Sequence, residues 1–178
     1  MDEQELVVLA RAGDTDAFGE IVRHYKFPVL RYLYRLTGDM EKAEDLTQDT
    51  FVKAFEGING LRSQLALKSW LYRIATRTAH SYWRRNRLRV LIHVDDSKSP
   101  NSIAVEDSMR KVEEKMVVRR SLLEVPQHQR VCLVLHYVEG FKYREIAETL
   151  GISEDAVRKR ISRGKQAFRR FYNGGGDQ

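Results

Sequence analysis

Apolar residues recur along this chain at intervals of three and four, and no stretch alternates steadily, so the pattern predicts helices almost throughout. The longest stripe begins after Asp14, a good N-cap. It runs through Phe18, Ile21, Val22, Tyr25, Val29, Tyr32, Leu33 and Leu36 to a stop at Gly38, with Pro28 predicting a kink on the way. A second helix, capped by Asp39, carries Ala43, Leu46, Phe51, Ala54 and Phe55 on its apolar face and ends in Gly57-Ile58-Asn59-Gly60. After a loop to about Ala66, a third long helix turns Trp70, Leu71, Ile74, Ala75, Thr78 and Tyr82 to its buried side. Its cations Arg73, Arg77, Arg84 and Arg85 stay on the other faces.

Between about Leu91 and Ser108 the pattern disappears, and Asp95-Asp96-Ser97-Lys98-Ser99-Pro100-Asn101-Ser102 has the composition of a flexible connector. Helical spacing resumes at about Met109, breaks before Pro126 and continues through Val131, Leu135 and Val138 to a turn at Glu139-Gly140. The expected fold is all-α: two small helical domains joined by a flexible linker, the C-terminal one containing a helix-turn-helix. The divisions are residues 1–90, a linker over 91–118 that runs into the first helix of the next domain, and residues 119–178.

The helix-turn-helix is read from Lys142 to Ile161. Ile146 and Ala147 face inward, the small alanine permitting close approach, Gly151 allows the positive φ of a turn, and Ile152 plugs the wedge between the helices. Ser153 caps the second helix, with Glu154 and Asp155 at its positive end. Val157, Ile161 and Phe168 bury one side. Arg158, Lys159, Ser162 and Arg163 are left outward, as a helix entering a major groove requires. A purely structural hairpin is the alternative, but it does not need an outer face free of acids.

Composition narrows the classes. With 178 residues, 42% hydrophobic and 31% charged, the chain is a globular protein and not a disordered one. No apolar run approaches a membrane-spanning length, and the first residues are acidic where a secretory signal is basic, so the expected location is the cytoplasm. The single cysteine, Cys132, excludes an internal disulfide and multi-thiolate metal sites; in Val131-Cys132-Leu133-Val134-Leu135 it reads as a buried, inert thiol. His24, His80, His93, His128 and His136 are dispersed without ligand spacing, and no cofactor or metal is expected.

The net charge of +6 is unevenly spread. Residues 1–61 hold seven basic and twelve acidic groups, whereas residues 62–90 hold eight cations and no acid. A second acid-free block, Ala156 to Arg170, holds seven more. Two separated, uncompensated basic stretches on helices point to a polyanion touched at two places, while an ordinary solvated face usually mixes both signs. Glu44, Gln48 and Asp49 share one helix surface and suit a basic or polar protein partner better than DNA. As a catalytic or metal-binding pair these acids lack a companion His, nucleophile or Gly-rich loop, so an enzyme is not expected.

Three segments together carry a family resemblance over almost the whole chain: Ala43-Glu44-Asp45-Leu46-Thr47-Gln48-Asp49-Thr50-Phe51-Val52-Lys53-Ala54-Phe55, then Ser69-Trp70-Leu71-Tyr72-Arg73-Ile74-Ala75-Thr76, then the helix-turn-helix region that begins near Val125-Pro126. In order and separation they resemble an extracytoplasmic-function sigma factor, of the small two-domain class of the bacterial primary sigma family. The resemblance implies an alternative sigma factor whose first domain docks on core RNA polymerase and opens the minus-10 element, while the second reads the minus-35 element of promoter DNA. It implies an anti-sigma factor, often membrane-embedded, as a further partner. Carried over residue by residue, Glu44, Asp45, Leu46, Gln48, Asp49 and Phe51 match the polymerase-docking segment. Arg62, Lys68, Arg73, Arg77 and Arg84 match minus-10 backbone contacts, with Trp70 and Tyr72 as stacking platforms; for Trp70 a core position on the apolar stripe is the alternative. Arg158, Lys159, Arg160, Ser162 and Arg163 match minus-35 contacts, Arg160 being equally suited to a phosphate. The chain departs from the family at Arg77, where an Asn is usual, at Ser81 for an Asp, at Leu67 for an aromatic residue and at Ala156 for a threonine. In the family the acidic connector threads polymerase channels, and a plain tether fits its composition equally well. A free-standing helix-turn-helix repressor or activator is the competing function; it leaves the Ala43–Phe55 motif and one basic block idle.

Overall fold

The Asp14 carboxylate starts the longest stripe: its Oδ1 accepts the backbone N–H groups of Asp16 at 2.9 Å and Ala17 at 3.0 Å, satisfying donors that a helix start leaves open. The computed structural model describes residues 2–61, 66–92 and 109–174, and among them the regular elements are all helical. They are α1 (Glu3–Arg11), α2 (Thr15–Thr37), α3 (Met40–Gly57), a 3-10 turn (Ile58–Gly60), α4 (Leu67–Ile92), α5 (Met109–Glu124), α6 (Gln127–Tyr137), α7 (Tyr143–Leu150) and α8 (Glu154–Gly174). The connector Asp95–Ser102, and Gly175 and Gly176 of the tail, lie outside the described residues.

Two compact units form, one from the described residues of Met1–Leu33 and Glu41–Ser97, the other from those of Tyr34–Met40 and Lys98–Gln178. Helix α1 of the first unit was not expected from the periodicity. It is short, but it has a start signal, the Asp2 N–H donating to the Glu5 carboxylate at 3.1 Å, and it buries Val7 and Ala10. The Tyr25 hydroxyl donates to Glu3 Oε2 at 2.6 Å, tying α1 to α2, and burial together with that carboxylate raises the Tyr25 pKa above the usual phenol range. Helix α2 continues through Pro28.

The core of this unit is made by Val29, Tyr32 and Leu33 of α2, Ala43, Leu46 and Ala54 of α3, and Leu71, Tyr72, Ala75 and Ala79 of α4. Thr47 and Thr50 are buried beside them and return their hydroxyls to the carbonyls of Ala43 and Leu46, each at 2.6 Å, so no donor is stranded. The buried arc of α4 is wider than one stripe. Tyr72 and Thr76 face Tyr32 of α2, while Thr78 accepts from Lys53 Nζ of α3 at 3.2 Å. Trp70, Ile74 and Tyr82, expected on the buried side, are only half-buried.

In the second unit α6 is buried continuously from Arg130 to Leu135, packed against α8. Pro126 separates α5 from α6, as expected. Arg130 is buried and donates its guanidinium N–H groups to the carbonyls of Leu123 and Val125 at the end of α5. Burial lowers its pKa to about 10, with Glu124 opposing, which leaves it charged at neutral pH. Val138, expected on the buried stripe, lies just past the end of α6 and is exposed.

Candidate functional site

The turn between α7 and α8 is built as its residues require. Gly151 adopts φ +66°, a left-handed conformation that costs a glycine nothing, and the Ile152 N–H donates to the Ala147 carbonyl at 3.1 Å. Ser153 Oγ then accepts the Ala156 N–H at 3.2 Å and starts α8. Ile146, Ala147, Val157 and Ile161 are buried between the helices, and Gly164 brings α8 close to Leu133 of α6.

With that side buried, the opposite side of α8 is fixed. Arg158, Lys159, Ser162 and Arg163 are exposed together, and Lys165, Arg169 and Arg170 extend the cationic surface toward the end of the helix. Arg160 does not belong to it. Arg160, expected among the minus-35 contacts, is half-buried, and its charge acts on the buried Cys132 thiol of α6. Residue 160 follows Val157 by three positions, and that spacing puts it on the inward side. The Cys132 thiol is fully buried, as its sequence neighbours suggested, and burial pushes its pKa up to about 11 against the opposing Arg160 charge. Phe168 is half-buried and stacks on Tyr172 with ring centroids 5.6 Å apart.

On α3, Glu44, Asp45, Gln48 and Asp49 are exposed on one surface, with Asp45 3.6 Å from Lys42 Nζ. Leu46 and Phe51, expected in the docking segment, are buried beneath it and support this surface from the core. The apolar part of the surface comes from Val52 and Phe55, which are half exposed at 52% and 50%. Phe55, expected on the buried face, lies edge-on against Phe18 at 5.1 Å with half of its surface exposed. The signal for Val52 was available, since it falls off the stripe that holds Leu46 and Ala54.

On α4, Lys68, Arg77, Arg84 and Arg85 are exposed and Arg73 is half-buried, whereas Arg62 lies outside the described residues. Tyr72 is 1% exposed with its ring 4.9 Å from that of Tyr32, so it cannot stack on a base, and that expectation is corrected. Trp70 is half-buried, and a Cβ placed on Gly57 would be 3.7 Å from its indole, so it packs on the end of α3. Among the described residues no group of His, Cys, Asp and Glu is arranged to hold a metal ion. No described helix is long and apolar enough to cross a membrane.

The family model for sigma-70 region 2 matches residues 21–89, and that for sigma-70 region 4 matches residues 115–168. The first span holds the acidic surface of α3 and the basic helix α4; the second holds α6, α7 and the cationic side of α8. The ECF RNA polymerase sigma factor SigM of Bacillus subtilis is 31% identical over 156 residues, 88% of this chain and 95% of that protein. The chain belongs to the ECF sigma factors. A second relative, SigW of the same organism, is 28% identical over 170 residues, 90% of this chain and 91% of its own. This ECF sigma factor also shares its fold with the sigma factor RpoE in the co-crystal with the anti-sigma factor NepR from Bartonella quintana. There the TM-score is 0.73 at 22% identity, covering 88% of this chain and 96% of that one. It is thus an alternative sigma factor and not a free-standing repressor, because the region 2 match occupies the half a repressor leaves idle.

Proposed function

We propose that this sigma factor is a non-enzymatic promoter-specificity subunit that acts only with core RNA polymerase, in the cytoplasm. The acidic surface of Glu44, Asp45, Gln48 and Asp49, with Val52 and Phe55 at its apolar end, docks on the polymerase. The exposed cations of α4 hold the backbone of the opened minus-10 element, with the half-buried Trp70 beside them as the candidate platform for a base. Helix α8 enters the major groove of the minus-35 element. The observation that carries this reading is the one-sided face of α8, where Arg158, Lys159, Ser162 and Arg163 stand outward opposite buried Val157 and Ile161. The pairing of RpoE with NepR supports an anti-sigma factor as the partner that holds this chain inactive.

Run-off transcription with purified bacterial core polymerase on a promoter library is the direct test. Sequence-specific initiation that needs both components is expected. Failure to bind core polymerase, together with tight dimeric binding to a single DNA site, would overturn the reading.

A further inference from the structure

We infer that Asp155 is a positioning residue that sets how Arg158 reads a base pair, an inference that rests on the minus-35 reading of α8. Asp155 is the second residue of α8, and Arg158 follows it by three, on the same exposed side. Arg158 Nη1 donates to Asp155 Oδ1 at 3.3 Å. On another side the guanidinium carbon lies 6.0 Å from the centre of the Tyr143 ring at the start of α7. Tyr143 is itself backed by His136 of α6, ring centroids 4.8 Å apart, and His136 Nδ1 donates to the Phe141 carbonyl at 2.9 Å, which fixes the imidazole. Arg158 is therefore approached by a carboxylate from its own helix and by an edge-to-face aromatic pair that reaches back through α7 to α6.

This arrangement does little for stability. Both partners of the ion pair are well exposed, Arg158 at 63% and Asp155 at 79%, and such pairs contribute little in water. For binding DNA in general the carboxylate is a disadvantage, since it stands at the DNA-facing start of the helix among phosphates. What it does supply is orientation. A guanidinium offers five N–H donors in a planar fork, and Asp155 occupies Nη1, leaving the Nη2–Nε edge for the paired acceptors O6 and N7 of guanine. Without the carboxylate the same side chain can swing to a phosphate, where it adds affinity and carries no sequence information. Asp155 thus trades affinity for discrimination at one base pair.

The test uses full-length protein reconstituted with core polymerase and competed over a promoter library randomised across the minus-35 element, for the parent and for R158A, D155N and Y143F. R158A is expected to flatten the preference at one base pair by about tenfold or more. D155N is expected to flatten the preference at that same base pair by about three- to tenfold, while occupancy of all promoters rises and the other positions keep their preferences. Y143F keeps the ring and is expected to match the parent. If D155N raises occupancy uniformly and every preference survives, Asp155 is only a charge near phosphates and the inference fails, with the reading of α8 intact. If R158A itself leaves every minus-35 preference unchanged, the reading of Arg158 fails and takes the inference with it.

Discussion

The hydroxyl of Tyr32 lies 2.7 Å from Thr76 Oγ1, joining α2 to α4 in the core of the first unit. Thr76 donates its own proton to the Tyr72 carbonyl at 2.7 Å, so it is Tyr32 that donates across the helix interface. Both side chains are almost fully buried. Tyr32→Phe removes this bond and keeps the ring that packs on Tyr72; the expected cost is about 1 kcal/mol of stability. Chemical denaturation of the two proteins measures it. Promoter preference is expected to stay unchanged, because neither residue reaches the surface.

That pair also shows where the sequence was legible and where it was not. The stripe that begins at Asp14, the cap itself, and the turn Gly151-Ile152-Ser153 follow from local rules, each being decided by neighbours within four residues. Tyr72 followed a different logic. Periodicity assigns one buried stripe to a helix, but α4 is covered from two directions, and only tertiary packing places Tyr72 against Tyr32, 40 residues away in the chain. Leu46 and Phe51 were carried over with the docking segment as a block, although their own spacing marked them as core. The same holds for Arg160: its charge grouped it with the outer cations, while its register turned it toward Cys132. Charge and motif point to the candidate surfaces, and burial separates the side chains exposed on them from those beneath.

Cys132 gives a pH-dependent prediction. Its thiol is raised in the folded state to about 11 from an ordinary value of 9.0, so the fold favours the protonated form. The stabilisation is fully present below about pH 9 and is lost as pH rises through about 11, because the unfolded chain then releases a proton that the folded chain retains. Cys132→Ala is expected to lose stability at neutral pH, through lost packing, and to show a shallower decline between those pH values than the parent. Thermal melts across pH 7 to 11 measure the difference. At about pH 8 a thiol reagent is expected to leave the folded protein unmodified and to modify one thiol per chain once it is unfolded.

Gly164 lies where α8 crosses α6, and a Cβ there would be 3.1 Å from Leu133 Cδ1 and Cγ and 3.3 Å from Gln129 Cβ. For Gly164→Ala the gain in helix propensity, about 1 kcal/mol, works against this crowding, and the net change is expected to be small. Gly164→Val adds two methyl groups to the same contact and is expected to cost about 1 to 3 kcal/mol. Combining it with Leu133→Ala makes room, so the double variant is expected to be more stable than the sum of the single effects. A double-mutant cycle by thermal unfolding reads that coupling.

The surface of α3 separates docking from folding by the class of residue changed. Glu44 and Asp49 are exposed, so Glu44→Lys and Asp49→Lys are expected to leave the melting temperature within a degree or two, since surface changes usually alter stability by less than about 0.5 kcal/mol. In the proposed docking, each reversal replaces an attraction to the polymerase with a repulsion, and the expected loss of core affinity is roughly fivefold to tenfold at low salt, shrinking as ionic strength rises. Leu46→Ala and Phe51→Ala do the opposite. Their side chains are buried under that surface, and truncation is expected to cost about 2 to 5 kcal/mol of stability. Core binding by these two variants is then expected to fall only as far as the folded fraction falls. Affinity for core polymerase, measured beside an unfolding curve for each variant, distinguishes the two classes. A reversal at Glu44 and Asp49 together that leaves core affinity unchanged at low salt would remove this surface from the docking site.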